Sequence, residues 1–157
     1  MNAHLIIKKK TMISKIYTYK EKPVSANELV LYRFLATMFT IRKFKKITLP
    51  KLQVYLWGLK SEENKHAVIK WKKEGKITNA PWLMDDDTPQ LISQCICNHY
   101  VQMDLNKSGK VSYVLDYAAT QIFQEMSGTE IEGYITSDLE DMGPLTDTML
   151  ASIVFDF

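Results

Sequence analysis

Capped helical segments follow one another from Ser25 to about His99. One strand–turn–strand stretch occupies Val101 to Leu115, and a further helix is entered straight from its second strand. That order predicts a mostly α (α+β) domain, winged-helix-like, with one β-hairpin and a possible N-terminal strand. The chain has 157 residues, of which 46% are apolar, enough for one core of ordinary domain size. No repeat or low-complexity linker divides it. The expected organisation is an N-terminal strand or arm over 1–24 and a single domain over 25–157.

Each element has its own signal. Leu5 to Tyr19 is rich in β-branched and aromatic residues without clean alternation, which suits short strands or an arm ending at Pro23. Ser25-Ala26-Asn27-Glu28 is a capping box, and Leu29 to Phe39 is apolar around most of a helix, so this helix should be central. Thr48-Leu49-Pro50 opens the next helix, with Thr48 as N-cap and Pro50 in the first turn. Ser61 opens a third, with Glu62 and Glu63 at its positive end and Gly75 as its stop. On that helix Ala67, Val68 and Trp71 are expected to face inward and Lys65, Lys70, Lys72 and Lys73 outward.

Asp85, Asp86, Asp87 and Thr88 before Pro89 mark another helix start, running to about His99. Lys107-Ser108-Gly109-Lys110 separates two short apolar runs and reads as a tight hairpin turn. Asp116 is expected to cap the following helix. Thr129 to Glu132 forms a second capping box, and Gly143-Pro144 ends the helix it starts. A short helix from Leu145 to Ile153 and an apolar tail close the chain.

Charge is sharply polarised. Residues 1–80 carry 18 Lys and Arg against 5 Asp and Glu, a net of +13, and residues 81–157 carry 2 against 13, a net of −11. Such halves either neutralise each other in the fold or present two faces that steer partners. On the second reading, Arg42, Lys43, Lys45, Lys46, Lys65, Lys70, Lys72 and Lys73, with Lys107 and Lys110 at the hairpin tip, contact nucleic acid or an acidic protein. The basic residues of the domain are mostly lysine, with Arg33 and Arg42 the only arginines, which disfavours bidentate base reading. The aspartates before Pro89 would repel phosphate, so the Pro89–His99 helix is a poor recognition helix. The tryptophans are expected in the core by default. Trp82, between Pro81 and the acidic cluster, is the candidate for an interface. Asp85, Asp86, Asp87, Phe155 and Phe157 complete the expected partner-binding set.

Catalytic chemistry finds little purchase. His4, His66 and His99 have no ligand spacing, and Asp85 to Asp87 have no matching second cluster, so no metal or cofactor is expected. Phosphate-loop, dinucleotide and nucleophile-elbow patterns are absent from the sequence. Cys95 and Cys97 fit neither a disulfide framework nor a zinc site and read as small buried residues. No stretch has the roughly 18 apolar residues of a membrane span. The lysines at 8–10 follow the apolar start instead of preceding it, the wrong order for an export signal. The expected location is cytoplasmic.

The lysine-rich first half, the hairpin Val111 to Leu115 running into its helix, and the ending Pro144-Leu145-Thr146-Asp147-Thr148-Met149-Leu150-Ala151-Ser152 are similar to a known group. Over residues 25–153 the chain resembles the small middle component of bacterial three-component ABC/SMC-like ATPase (Lamassu-type) anti-phage defence systems. The resemblance implies a non-catalytic accessory subunit docked on an SMC-like ATPase, meeting DNA through the complex and restraining an effector nuclease. It implies a hetero-oligomer in preference to a homodimer. The competing expectation is a free-standing winged-helix transcription regulator.

Overall fold

The computed structural model describes residues 26–153 except 76, 78, 79, 85 and 86. The expected N-terminal strand or arm, the capping residue Ser25, Asp85, Asp86, Phe155 and Phe157 lie outside the described residues. The described chain is mostly helical with one two-stranded antiparallel hairpin. Its order is α1 (Ala26–Phe44), α2 (Leu49–Gly58), α3 (Glu62–Glu74), a 3-10 turn (Pro81–Met84), α4 (Thr88–Cys97), β1 (Val101–Leu105), β2 (Val111–Leu115), α5 (Ala119–Met126), α6 (Glu130–Met142) and α7 (Asp147–Ala151).

Helix α1 is the axle of the core. Residues from Tyr32 to Ile41 are buried apart from Phe34, and the helix packs against α2, α6 and β2. Its two buried threonines return their hydroxyls to their own helix, Thr37 to the Arg33 carbonyl and Thr40 to the Ala36 carbonyl. Lys45, in the left-handed region at φ 64°, ends the helix. The chain then turns through Ile47, which exchanges two backbone hydrogen bonds with Tyr113 of β2, at 3.1 and 2.8 Å. Ile47 is therefore a one-residue strand on the outer side of β2, which periodicity cannot reveal.

Helices α2 and α3 are joined by only Leu59, Lys60 and Ser61. Helix, bridging residue, closely joined helix pair and hairpin is winged-helix connectivity, with α4 inserted before the hairpin. The second helix of the joined pair, where a winged helix carries its recognition helix, is α3 and not α4, the helix directly before the hairpin. Ser61 accepts from the Asn64 N–H at 3.1 Å and Gly75 takes the left-handed C-cap at φ 69°, as the sequence predicts. Thr48 is extended at the N-cap of α2 but makes no side-chain cap bond.

Aromatic rings fill the far side of the core. Trp82 lies 4.9 Å from Trp71 and 5.9 Å from Trp57 between ring centroids, and Phe44 stacks on Tyr55 at 4.6 Å. Gly58 lets α2 approach α6. A Cβ there would sit 2.5 Å from the Met142 sulfur. Thr129 caps α6 by accepting from the Glu132 N–H, and the Glu132 carboxylate reaches back to the Gly128 N–H. Helix α5 starts later than Asp116 predicts. Asp116 donates its N–H to Tyr100 and accepts the Tyr117 N–H on its carboxylate, so it closes the hairpin instead of capping the helix.

Candidate functional site

The two oppositely charged halves fold onto each other. Arg33 pairs with Asp87 at 2.7 Å, Arg42 with Glu132 at 3.4 Å, Lys43 with Glu140 at 3.4 Å, and Lys51 with Asp147 at 3.2 Å. Lys46 pairs with Asp104, and Lys110 reaches Asp147 at 2.5 Å. Sequence separation hides these contacts, because most link α1, α2 or the turn after α1 to elements far along the chain.

The deepest of them is at Lys65, which is not an exposed contact residue. Its side chain is 9% exposed, and its ammonium sits 2.9 Å from Asp138, 3.0 Å from Glu62 and 3.3 Å from Asp141. Burial alone would lower its pKa, but the hydrogen bonds to Asp138, Glu62 and Asp141 and the charge of Asp138 outweigh burial and hold the ammonium above its ordinary range. Tyr32 lies near the same group. It donates to the Leu59 carbonyl at 2.8 Å, and burial, with the Asp138 charge, raises its phenol well above the ordinary value.

Lys72 is also turned inward. It donates to the Met142 carbonyl at 2.6 Å, the last residue of α6, where the helix dipole is negative. Partial burial lowers its pKa. Gly143 follows at φ 66° with Tyr55 donating to its carbonyl at 2.7 Å, so α2, α3 and the end of α6 are tied at one point. Arg42 lies over two rings, 4.7 Å from the centroids of both Phe39 and Phe123, while it pairs with Glu132. It holds α1 to α5 and α6.

The other lysines are placed differently. Lys45, Lys70, Lys73 and Lys107 are exposed and pair with no acidic group among the described residues. Lys70 and Lys73 share the outer face of α3 with His66. Lys45 follows α1, and Lys107 is at the hairpin tip. The hairpin itself is unevenly buried. Val101, Met103 and Leu105 of β1 share one face with Leu115, Tyr113 and Val111 of β2. Val101 is buried at the root, whereas Met103, Leu105 and Val111 are 62%, 67% and 41% exposed. This apolar surface was not singled out from the sequence, although the period-two pattern Val101-x-Met103-x-Leu105 carries it.

Trp82 needs correction. It is 1% exposed, enclosed by Trp57 and Trp71, and cannot be a free interface anchor in this fold. Asp87 is exposed but serves α4 and Arg33: the Arg33 guanidinium, itself buried, also donates to Thr88 at 3.3 Å. Cys95 is buried, with its thiol pushed up to about 11 by burial, and Cys97 is exposed, contrary to the expectation that both are buried. Among the described residues no group of His, Cys, Asp and Glu could hold a metal ion. Among them, too, no helix is long and apolar enough to cross a membrane. No family model, curated protein or solved structure matches this chain.

Proposed function

We propose that the protein is a non-catalytic binding subunit that docks on a larger DNA-engaging assembly. In line with the resemblance noted above, that assembly is an SMC-like ATPase complex of anti-phage defence. The observation that carries the reading is the hairpin. Three large apolar side chains are left in solvent on one face of a projecting element, beside the unpaired Lys107, which is how a protein-binding surface is commonly built. Lys70 and Lys73 on α3, exposed and paired with no acid among the described residues, supply a second, electrostatic contact for DNA or an acidic surface of the assembly.

Affinity purification of the native protein at low salt, with mass spectrometry of what accompanies it, tests this. A large coiled-coil ATPase in fixed ratio is the expected result. Substituting Met103 and Leu105 by lysine should release it. One observation favours the alternative of a free-standing regulator: α3 is the second helix of a closely joined pair and presents Lys70 and Lys73 outward, where such a helix meets a groove. Recovery of the protein without an ATPase, protecting one palindromic DNA site, would decide for the regulator.

A further inference from the structure

The two edges of the hairpin are treated differently. Tyr113 spends both of its backbone groups on Ile47, so they point away from β1. In an antiparallel ladder, bonded and non-bonded pairs alternate. The bonds between β1 and β2 therefore fall at Gln102–Val114 and Asp104–Ser112, in step with the Asn106–Lys110 bond at the turn. Met103 and Leu105 consequently aim their N–H and C=O groups outward from β1, where no described donor or acceptor meets them. Among the described residues the β2 edge is closed by Ile47 and the β1 edge is open. The strand Val-Gln-Met-Asp-Leu also has little edge protection: it has no proline, no lysine and no bulge in its register, and its one charge, Asp104, is paired with Lys46.

We propose that a second copy of this chain occupies that edge, with the two β1 strands antiparallel about Met103 and the two hairpins forming one four-stranded sheet. The strand is complementary to itself in this register. Met103 faces its own copy, and Leu105 of each protomer lies against Val101 of the other, extending the apolar face outward from the core. On the opposite face Gln102 meets Asp104, so an amide and not a second carboxylate faces each acid, and Asp104 is already paired with Lys46. The antiparallel arrangement sends the two Lys107 tips to opposite ends, roughly 25 Å apart at the rise of an extended strand. That is well beyond a screening length of about 8 Å. A foreign strand would have to reproduce the apolar alternation that β1 supplies for itself. The inference does not rest on the proposed ATPase partner, since dimerisation by itself is compatible with either functional reading.

Analytical ultracentrifugation of the full chain, from low micromolar to near-millimolar concentration, is the test. A reversible monomer–dimer equilibrium is expected. Met103→Pro removes only an outward N–H and should weaken the dimer by about tenfold or more with an unchanged far-ultraviolet spectrum. Met103→Lys, which keeps the backbone donor, should do the same through charge at the dyad, and it covers the case of a proline that disturbs the strand. In a Cys97→Ser background, Met103→Cys should cross-link to its own copy under mild oxidation more readily than Leu105→Cys. A chain that stays monomeric throughout overturns the proposal, as does a dimer that both Met103 variants leave intact. A dimer in which Leu105→Cys cross-links more readily than Met103→Cys overturns the register.

Discussion

Helix α3 carries four lysines with two fates. Lys65 and Lys72 stand seven residues apart on the stripe that holds Val68 and Trp71, and both are consumed by the fold, one by three carboxylates and one by a helix end. Lys70 and Lys73 lie on the opposite face and form no salt bridge with a described acid. Net charge therefore overstates the surface available to a partner. Among the described residues, Arg33, Arg42, Lys43, Lys46, Lys51, Lys65 and Lys72 of the first half are answered by acids or a carbonyl of the second, whereas Lys45, Lys70 and Lys73 stay exposed. On the proposed function, specificity would come from the exposed apolar hairpin and not from charge.

The comparison is broken most severely at Lys65. Replacing it by methionine leaves Asp138, itself 9% exposed, without its main counter-charge. A loss of about 3 to 5 kcal/mol is expected from chemical denaturation, against a change within about 0.5 kcal/mol for Lys70→Met. The pH dependence has a definite sign. Lys65 holds its proton more tightly when folded, so its contribution is complete below the unfolded value of 10.5 and is lost as pH rises toward the higher folded value. Tyr32 has the same sign, because the folded chain resists forming a buried phenolate. Thermal stability should therefore fall as pH is raised above about 10, and less steeply in Lys65→Met and Tyr32→Phe. A flat profile would show that the Lys65 cluster is not formed in solution.

Lys72 is the next point of contrast. Lys72→Glu removes a bond to the Met142 carbonyl and places a like charge at the negative end of α6, so a cost of about 1 to 2 kcal/mol is expected. The double variant Lys70→Glu, Lys73→Glu should melt within a few degrees of the parent while weakening association with DNA or an acidic partner in proportion to salt sensitivity. Equal destabilisation by both sets would erase the distinction between the two faces.

Much of this was legible in the sequence, and the misses have physical causes. Caps and stops placed α3, α6 and the hairpin because they are local signals. The inward stripe of α3 was legible too: Lys65 is three residues before Val68 and Lys72 is four after it, which is helical neighbourhood. Residue type suggested solvent, and spacing was the better guide. Trp82 was read from its polar neighbours, yet its burial depends on Trp57 and Trp71, which come from two other helices. The bridge at Ile47 and the open edge of β1 could not be seen at all. A one-residue strand has no period, and edge exposure is a property of pairing and not of the strand's own residues.

The smallest effect expected is a gain. Helix α4 ends in a Schellman arrangement, with the His99 N–H donating to Ile96 at 3.1 Å and the Tyr100 N–H to Cys95 at 2.9 Å. His99 occupies the left-handed position at φ 62°, which costs a non-glycine residue about 1 kcal/mol or more. Its compensation is modest: an exposed imidazole stacked on Tyr117 at 5.1 Å. His99→Gly should relieve the strain and stabilise the domain by only about 0.3 kcal/mol, because the lost ring contact and the added freedom of the unfolded chain cancel most of the gain. A loss of stability instead would mean that the His99–Tyr117 stack at the hairpin root is worth more than the backbone strain, and that the root, unlike the exposed tip, is held by its aromatic pair.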